Sequence, residues 1–298
     1  MPFDDYCRLP GINASAVKGV GGCSPRHLKA YLDGDLPNED SAAKRLGRAI
    51  HCLILEPDRF EESFPTVKQC WAVVKGDVKK GTDEHRCYNQ GTHQHNDLFY
   101  CGVHGKAYEE LADYITKDEE TRLAALKYAL RSDPCAEYLR RPGHSEIVIQ
   151  WNQYGLQLKT RIDRLAITGT SALLLDIKKM RVGYGSDDQC RKECADRGYH
   201  LQAIFHWDGV RAAFGELDVQ QFFLFVEDDY PFCTNMLPVD DEDRRIATEV
   251  VSSKLSVFKA CQATGVYHGY QIVVDPEKQG ILPMWLRNQY IQEIEVSA

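Results

Sequence analysis

The sequence predicts an α/β chain of the mixed α+β kind, a central mixed β-sheet flanked by helices. Three observations point there. Helical apolar spacing fills the opening third, three alternating or aliphatic runs follow between residues 146 and 178, and helix, strand and helix then succeed one another to about residue 262. The 298 residues are 43% hydrophobic and 27% charged, which supports a sizeable core and excludes collagen, coiled-coil and disordered classes. One domain over 1–298 is expected, with an insert of different character at 68–106.

Ser24-Pro25 ahead of RHLKAYL reads as an N-cap with proline in the first turn, and Gly34 as the stop. A second helix runs through SAAKRLGRAIHCLILEP, where Ala43, Leu46, Ile50, Leu53 and Ile54 share a face and Pro57 ends the pattern. After the insert, helical periodicity is expected from about Tyr108 to Leu139, interrupted at Ser132-Asp133-Pro134, with a turn at Arg140-Arg141-Pro142-Gly143. Strands are expected over Glu146 to Trp151, Leu156 to Ile167 and Ala172 to Lys178. A helix from about Asp187 to Phe214, broken at Gly198, a strand over Val219 to Val226 and a helix from about Asp241 to Gln262 complete the order.

No apolar stretch approaches the roughly 20 residues that span a bilayer. The start, MPFDDYCRLPG, lacks a basic segment followed by an apolar one, so a chain without membrane contact is expected. Eleven cysteines, an odd count, fit free thiols or metal ligands in a reducing compartment, hence a cytoplasmic setting. The formal charge of −8 is segregated: residues 216–243 hold nine acids and no Lys or Arg. By contrast Lys159, Arg161, Arg164, Lys178, Lys179 and Arg181 surround only Asp163 and Asp176, which reads either as a basic surface enclosing two acids or as a salt-bridged sheet edge.

The segment LQLKTRIDRLAITGTSALLLDIKK carries the chemistry. With Gly169-Thr170 as a two-residue type II′ turn, Asp163 falls directly opposite Asp176 and Arg161 opposite Lys178. Alternation places Asp176 and Lys178 on one face, with Ile177, Leu173, Leu175 and Ile162 on the other. Carboxylates facing each other across a ladder repel, and a divalent cation is the natural compensation. Oxygen ligands suit Mg²⁺ or Mn²⁺, with water, a backbone carbonyl such as that of Ile177 and a substrate phosphate completing the shell. Lys178 then orients the attacking water and offsets charge in phosphodiester hydrolysis. Alone, Asp-x-Lys also fits a surface hairpin whose acids pair with Arg161, Arg164 and Lys179.

An Asp on one strand, a turn, and an aliphatic strand ending in Asp-x-Lys resembles the PD-(D/E)XK nuclease superfamily with its restriction-endonuclease-like core. INASAVKGV followed by SPRHLKAYL, LGRAIHCLILEP, YHLQAIFHWDGV and ILPMW, in this order, resemble one branch, the phage-type exonuclease VIII (RecE-like) family. The resemblance implies His51 as a helix-borne histidine near the metal and Asp163 and Asp176 as metal-binding acids. It implies Lys178 as the motif lysine, with Gln202 and Tyr199 as contacts to the site or DNA. Tyr199, Gln202 and His206 share a helical face, and His206 stands as a secondary site candidate. His51 also fits a satisfied histidine beside an apolar face. Gly47, costly within a helix and one turn before His51, points instead to close approach by backbone or substrate. Glu146 heads a strand and nothing in the sequence decides where it points. Lys179-Met180 departs from the small hydroxyl residue that related proteins often carry there.

Within the insert, Cys70, Cys87, Cys101 and His104 compose a Cys₃His set suited to a structural Zn²⁺, with His85, His93 or His95 as alternates and Lys79-Lys80-Gly81 and Asn89-Gln90-Gly91 as turns. Some members of the resembled family carry a similar pattern. A flexible loop with incidental thiols fits the same residues. Cys190, Cys194, Cys233 and Cys261 are too widely spaced for an iron–sulfur site and read as ordinary thiols.

The expected activity is therefore a Mg²⁺-dependent deoxyribonuclease. The resemblance implies 5′-to-3′ exonuclease action on duplex DNA with free ends, a 3′ single-stranded product, a ring-shaped homo-oligomer, a single-strand annealing protein as partner and a role in recombination. The alternatives are an endonuclease on the same core and a catalytically silent, zinc-stabilised DNA-binding protein.

Overall fold

A computed structural model of the protein describes residues 3–19, 21–36, 41–74, 85–111 and 113–270; ILPMW and Lys79-Lys80-Gly81 lie outside them. The chain opens with α1 (Phe3–Arg8), α2 (Ala14–Val17), α3 (Pro25–Asp33), α4 (Ala42–Leu55) and α5 (Phe60–Ser63). Short strands β1 (Val73–Val74), β2 (His85–Arg86), β3 (His93–His95), β4 (Leu98–Tyr100) and β5 (Glu109–Glu110) follow, then α6 (Lys117–Ser132) and α7 (Ala136–Arg140). The main sheet begins with β6 (His144–Gln153), β7 (Leu156–Thr168) and β8 (Ser171–Met180), crosses through α8 (Asp187–Arg197) and α9 (Tyr199–Phe214), and finishes with β9 (Asp218–Glu227), β10 (Thr234–Pro238) and α10 (Asp241–Thr264).

The five long strands lie in the order β10-β9-β8-β7-β6. All pairs are antiparallel except β8 with β9, which are parallel as a helical crossover requires. Both faces of the sheet are covered. Val210 of α9 packs on one face with Ile149, Ile162, Leu165, Leu174 and Val219. On the other, Ala49, Ile50 and Leu53 of α4 and Leu123, Leu126 and Leu130 of α6 meet Ile177, Leu224 and Val226. That double cover explains why LLLDIKK and QFFLFVE read as near-continuous apolar runs.

Local chemistry sets the boundaries. Ser24 caps α3 by accepting from the His27 N–H, and Gly34 closes it at φ 80°. Ser41 caps α4. Gly198, at φ 64°, separates α8 from α9 where the sequence predicts the break. The expected helix over Tyr108 to Leu139 starts later. Glu109–Glu110 pair with β3, and the Thr116–Glu119 capping box fixes the first turn of α6. Ala43 is exposed, so the buried face of α4 is Ala49, Ile50, Leu53 and Leu55.

The predicted hairpin register holds from Thr168↔Ser171 to Arg164↔Leu175, with Gly169 at φ 60° as the first central residue of the turn. The ladder then ends, one step short of Asp163 and Asp176. There the Ile177 N–H donates to Asp163 Oδ2 at 2.8 Å instead of to a backbone carbonyl. Alternation slips with it. Ile162 packs with Leu165 and Leu174 rather than with Leu173 and Leu175, which meet Ala166 on the opposite face.

Candidate active site

The irregularity at the end of the β7–β8 ladder creates the site. On the far side of Asp163, Glu146 occupies the matching position on β6, between the Ser145↔Arg164 and Ile147↔Ile162 pairs. Its φ of 57° is left-handed, a backbone conformation that costs on the order of 1–3 kcal/mol in a non-glycine residue. Glu146, Asp163 and Asp176 thus lie on three adjacent strands, each next to paired residues. From above, α4 brings His51, whose Nδ1 lies 3.4 Å from Asp163 Oδ2. Ligand atoms of His51, Glu146 and Asp163 all fall within 4.8 Å of one another, so these three can hold a metal ion. The N–H and C=O of one strand residue point to the same side, so the Ile177 carbonyl faces the same gap as its N–H.

Burial, reinforced by the charge on Asp163, pushes the Glu146 carboxyl up to about 8, although Arg161 Nε stands 2.7 Å from Glu146 Oε2.

Asp176 has different partners. It is 1% exposed, and its Oδ2 accepts from Gln202 Nε2 at 2.7 Å and lies 3.0 Å from His206 Nε2, both on α9. Its Oδ1 pairs with Lys178. Burial opposes the charged form, but Lys178 and His206 outweigh it and hold the carboxyl below the usual carboxylate range. For Lys178, burial is likewise outweighed by Asp176 and Asp163, and the ammonium is held above its ordinary value. It sits 4.4 Å from the Tyr199 ring centroid and 3.3 Å from Gln202 Oε1. Asp163 and Asp176, expected to face one another and share an ion, therefore reach toward opposite layers: Asp163 toward α4, Asp176 toward α9.

Gln202 and Tyr199 lie beside the Asp176–Lys178 pair. His206, the secondary candidate on the same helical face, completes the cradle around Asp176, its Nδ1 2.7 Å from Thr160 Oγ1. Two further residues escape sequence reasoning. Glu146 joins only through the β6–β7 register. Lys18, at the end of α2, bonds to Gln202 Oε1 and lies 5.1 Å from the Tyr199 ring centroid. Burial and the charge of Lys178 bring the Lys18 amine down to about 7.

Of the two readings of the basic cluster, the structure follows the one in which the cations pair internally, not the one of an open basic surface. Lys159 donates to the carbonyls of Tyr6, Cys7 and Leu9, and Arg164 to those of Arg141 and Gly143. Arg161 pairs with Glu146 and Lys179 with Asp228. A strand between two helical layers turns such side chains to internal partners, leaving Arg181 exposed among the six. A Cβ on Gly47 would meet nothing within 4 Å among the described residues beyond the helix's own backbone, so packing there does not explain its missing side chain.

In the insert, Cys70, Cys87, Cys101 and His104 come together, their ligand atoms within 4.8 Å of one another. The alternates His85, His93 and His95 lie outside this group. Cys190 and Cys261 are buried, free thiols. No helix among the described residues is long and apolar enough to cross a membrane.

Among solved structures, the chain resembles a crystal structure described as a "Putative exonuclease" from Eubacterium rectale. The TM-score is 0.57 at 13% identity, over 96% of this chain and 95% of that one, which shows a shared fold. SSO0001 aligns over 46% of this chain and 69% of its own at 14% identity, with a TM-score of 0.23, too low to bear on the fold. No curated protein matches. The model of one family, the PDDEXK-like domain of unknown function DUF3799, matches residues 13–270. With that match over most of its length, and with acids and a lysine gathered at the end of the β7–β8 ladder, the chain belongs to this PDDEXK-like family.

Proposed function

We propose that the chain is a divalent-metal-dependent nuclease that hydrolyses DNA phosphodiester bonds, acting 5′ to 3′ from the ends of duplex DNA. The observation that carries the reading is the convergence of His51, Glu146 and Asp163 beside the Asp176–Lys178 pair. The donor set fits a hard divalent ion: two carboxylates, one imidazole and a strand carbonyl in the same gap. The upward pull on Glu146 is a second sign of fit, because a cation there relieves the repulsion from Asp163. His51, Glu146 and Asp163, with the Ile177 carbonyl, would hold Mg²⁺ or Mn²⁺. Bound there, such an ion supplies Lewis acidity to water and to phosphate oxygens.

The remaining residues serve the reacting phosphate. Lys178 is kept protonated by Asp176 and aimed by Gln202 and the Tyr199 face, so it can orient the attacking water and offset developing negative charge. Gln202 and His206 hold Asp176 in place, which fixes the lysine in turn. Lys18 adds a second amine on the same glutamine, a contact suited to a phosphate oxygen.

Action from ends is supported by the exonuclease VIII resemblance and by the description of the Eubacterium rectale protein. The resemblance also supports a 3′ single-stranded product, a ring-shaped homo-oligomer, a single-strand annealing partner and a cytoplasmic role in phage-type recombination. The test presents the same plasmid, linear and covalently closed, with Mg²⁺. Nucleotide release from the linear form with the circle intact is expected. Nicking of the circle would replace the reading by an endonuclease, and DNA binding without cleavage of either form by a catalytically silent DNA-binding protein.

A further inference from the structure

We infer that Cys70, Cys87, Cys101 and His104 bind one zinc ion that serves as the core around which residues 68–74 and 85–111 pack. With sulfur about 2.3 Å and nitrogen about 2.0–2.1 Å from zinc, tetrahedral angles place two sulfurs ~3.8 Å apart and sulfur and nitrogen ~3.6 Å apart. The structure has Cys87 Sγ 4.0 Å from Cys101 Sγ. It has His104 Nδ1 3.5 Å from Cys70 Sγ and 3.3 Å from Cys101 Sγ. Those spacings match a metal tetrahedron and are about twice the length of a disulfide bond. All three thiols are free.

Burial points the same way. Among the described residues of this segment the buried cluster is Cys70, Cys87 and Cys101, with Ala72, Val74 and Tyr100 partly buried against them. Three thiols are too little apolar area to order a segment of this length, whereas zinc binding contributes folding free energy directly. The backbone is shaped for it. Cys101 O accepts from the N–H groups of both His104 and Gly105, a tight turn that folds His104 back onto the Cys101 sulfur. Asn89 Nδ2 approaches Cys101 Sγ at 3.9 Å, the outer contact a metal-bound thiolate uses. His104 is exposed while the cysteines are buried, which leaves an entry path for the ion. Four protein ligands leave no open position, so the site is structural.

The segment is anchored to the helix that carries His51. It closes where Val67 N–H donates to Ile115 O and Ile115 N–H to Pro65 O. The residues just beyond are held to α4 by Arg45 on Tyr114 O and by Arg48 on Asp113. The zinc core thus braces one end of α4.

The test measures metal in the full-length protein, purified without added zinc and dialysed against metal-free buffer. About one zinc per chain is expected, retained in Asp163→Asn and Cys190→Ser, lost in Cys101→Ser and retained in His104→Cys. Retention in Asp163→Asn separates this site from the nuclease reading, since zinc held by His51, Glu146 and Asp163 would be lost. Should Cys101→Ser not fold, Co²⁺ is exchanged into the wild type, where thiolate charge-transfer and four-coordinate visible bands are expected. Zinc-free protein without cobalt–thiolate bands, or zinc unaffected by Cys101→Ser, overturns the inference.

Discussion

Asp163 does two things at once, and substitutions separate them. Its Oδ2 accepts the buried Ile177 N–H, and its carboxylate joins His51 and Glu146. Asp163→Ala leaves that N–H without its partner and should cost about 1–3 kcal/mol in denaturant unfolding as well as activity. Asp163→Asn keeps an acceptor while removing the charge, so its stability should stay near wild type. Lys18 gives a pH test. Its folded pKa of about 7 lies below its ordinary 10.5, so charging the amine opposes folding fully below pH 7 and progressively less from there to 10.5. Lys18→Met should therefore raise the melting temperature relative to wild type most at about pH 6, with the gain shrinking towards about pH 10; a gain that grows with pH would contradict the placement. Asp163, Asp176 and Lys178 are legible in the sequence because one tight turn fixes their spacing. Glu146 and Lys18 are not, because each reaches the site through a contact with a distant element: the β6 register, and α2 against Gln202.

At the scale of elements, α4 carries both His51, a metal ligand in the proposed function, and a support. Gly47 destabilises a helix interior by roughly 0.5–1 kcal/mol relative to alanine, and nothing among the described residues fills the space a Cβ would take. Gly47→Ala should raise stability by about that amount, and lower turnover if the space one turn before His51 admits substrate. Unchanged turnover would remove Gly47 from the DNA path. Arg45 of the same helix pairs with Glu119 inside the protein. Removing one partner of a buried pair leaves an unpaired charge, so Arg45→Met should cost about 3–5 kcal/mol by thermal or denaturant unfolding. The existence of α3, α4, α8, α9 and α10 follows from caps and spacing that the sequence displays. The start of α6 does not, because residues 108–111 have helical-looking spacing yet are claimed by β3 and by the Thr116 cap.

Across the whole molecule, the three-layer arrangement explains what composition hides. The cluster of cations between residues 159 and 181 resembles a nucleic-acid surface in one dimension. In three, most of it neutralises internal acids or caps carbonyls, because the strands that carry it lie between helical layers. The β8–β9 crossover sets α9 over the sheet face that bears Asp176 and Lys178. On the other face α4 brings His51 to Asp163. The candidate site is thus built from both layers, meeting where the β7–β8 ladder ends.

The most direct measurement is magnesium-dependent nucleotide release from linear duplex DNA by the wild type and by Asp163→Asn, prepared in parallel with matched unfolding curves. A loss on the order of 10³-fold or more in the variant, with its fold intact, is the predicted result. Equal release by both proteins would show that the phosphodiester bond is broken elsewhere in the molecule.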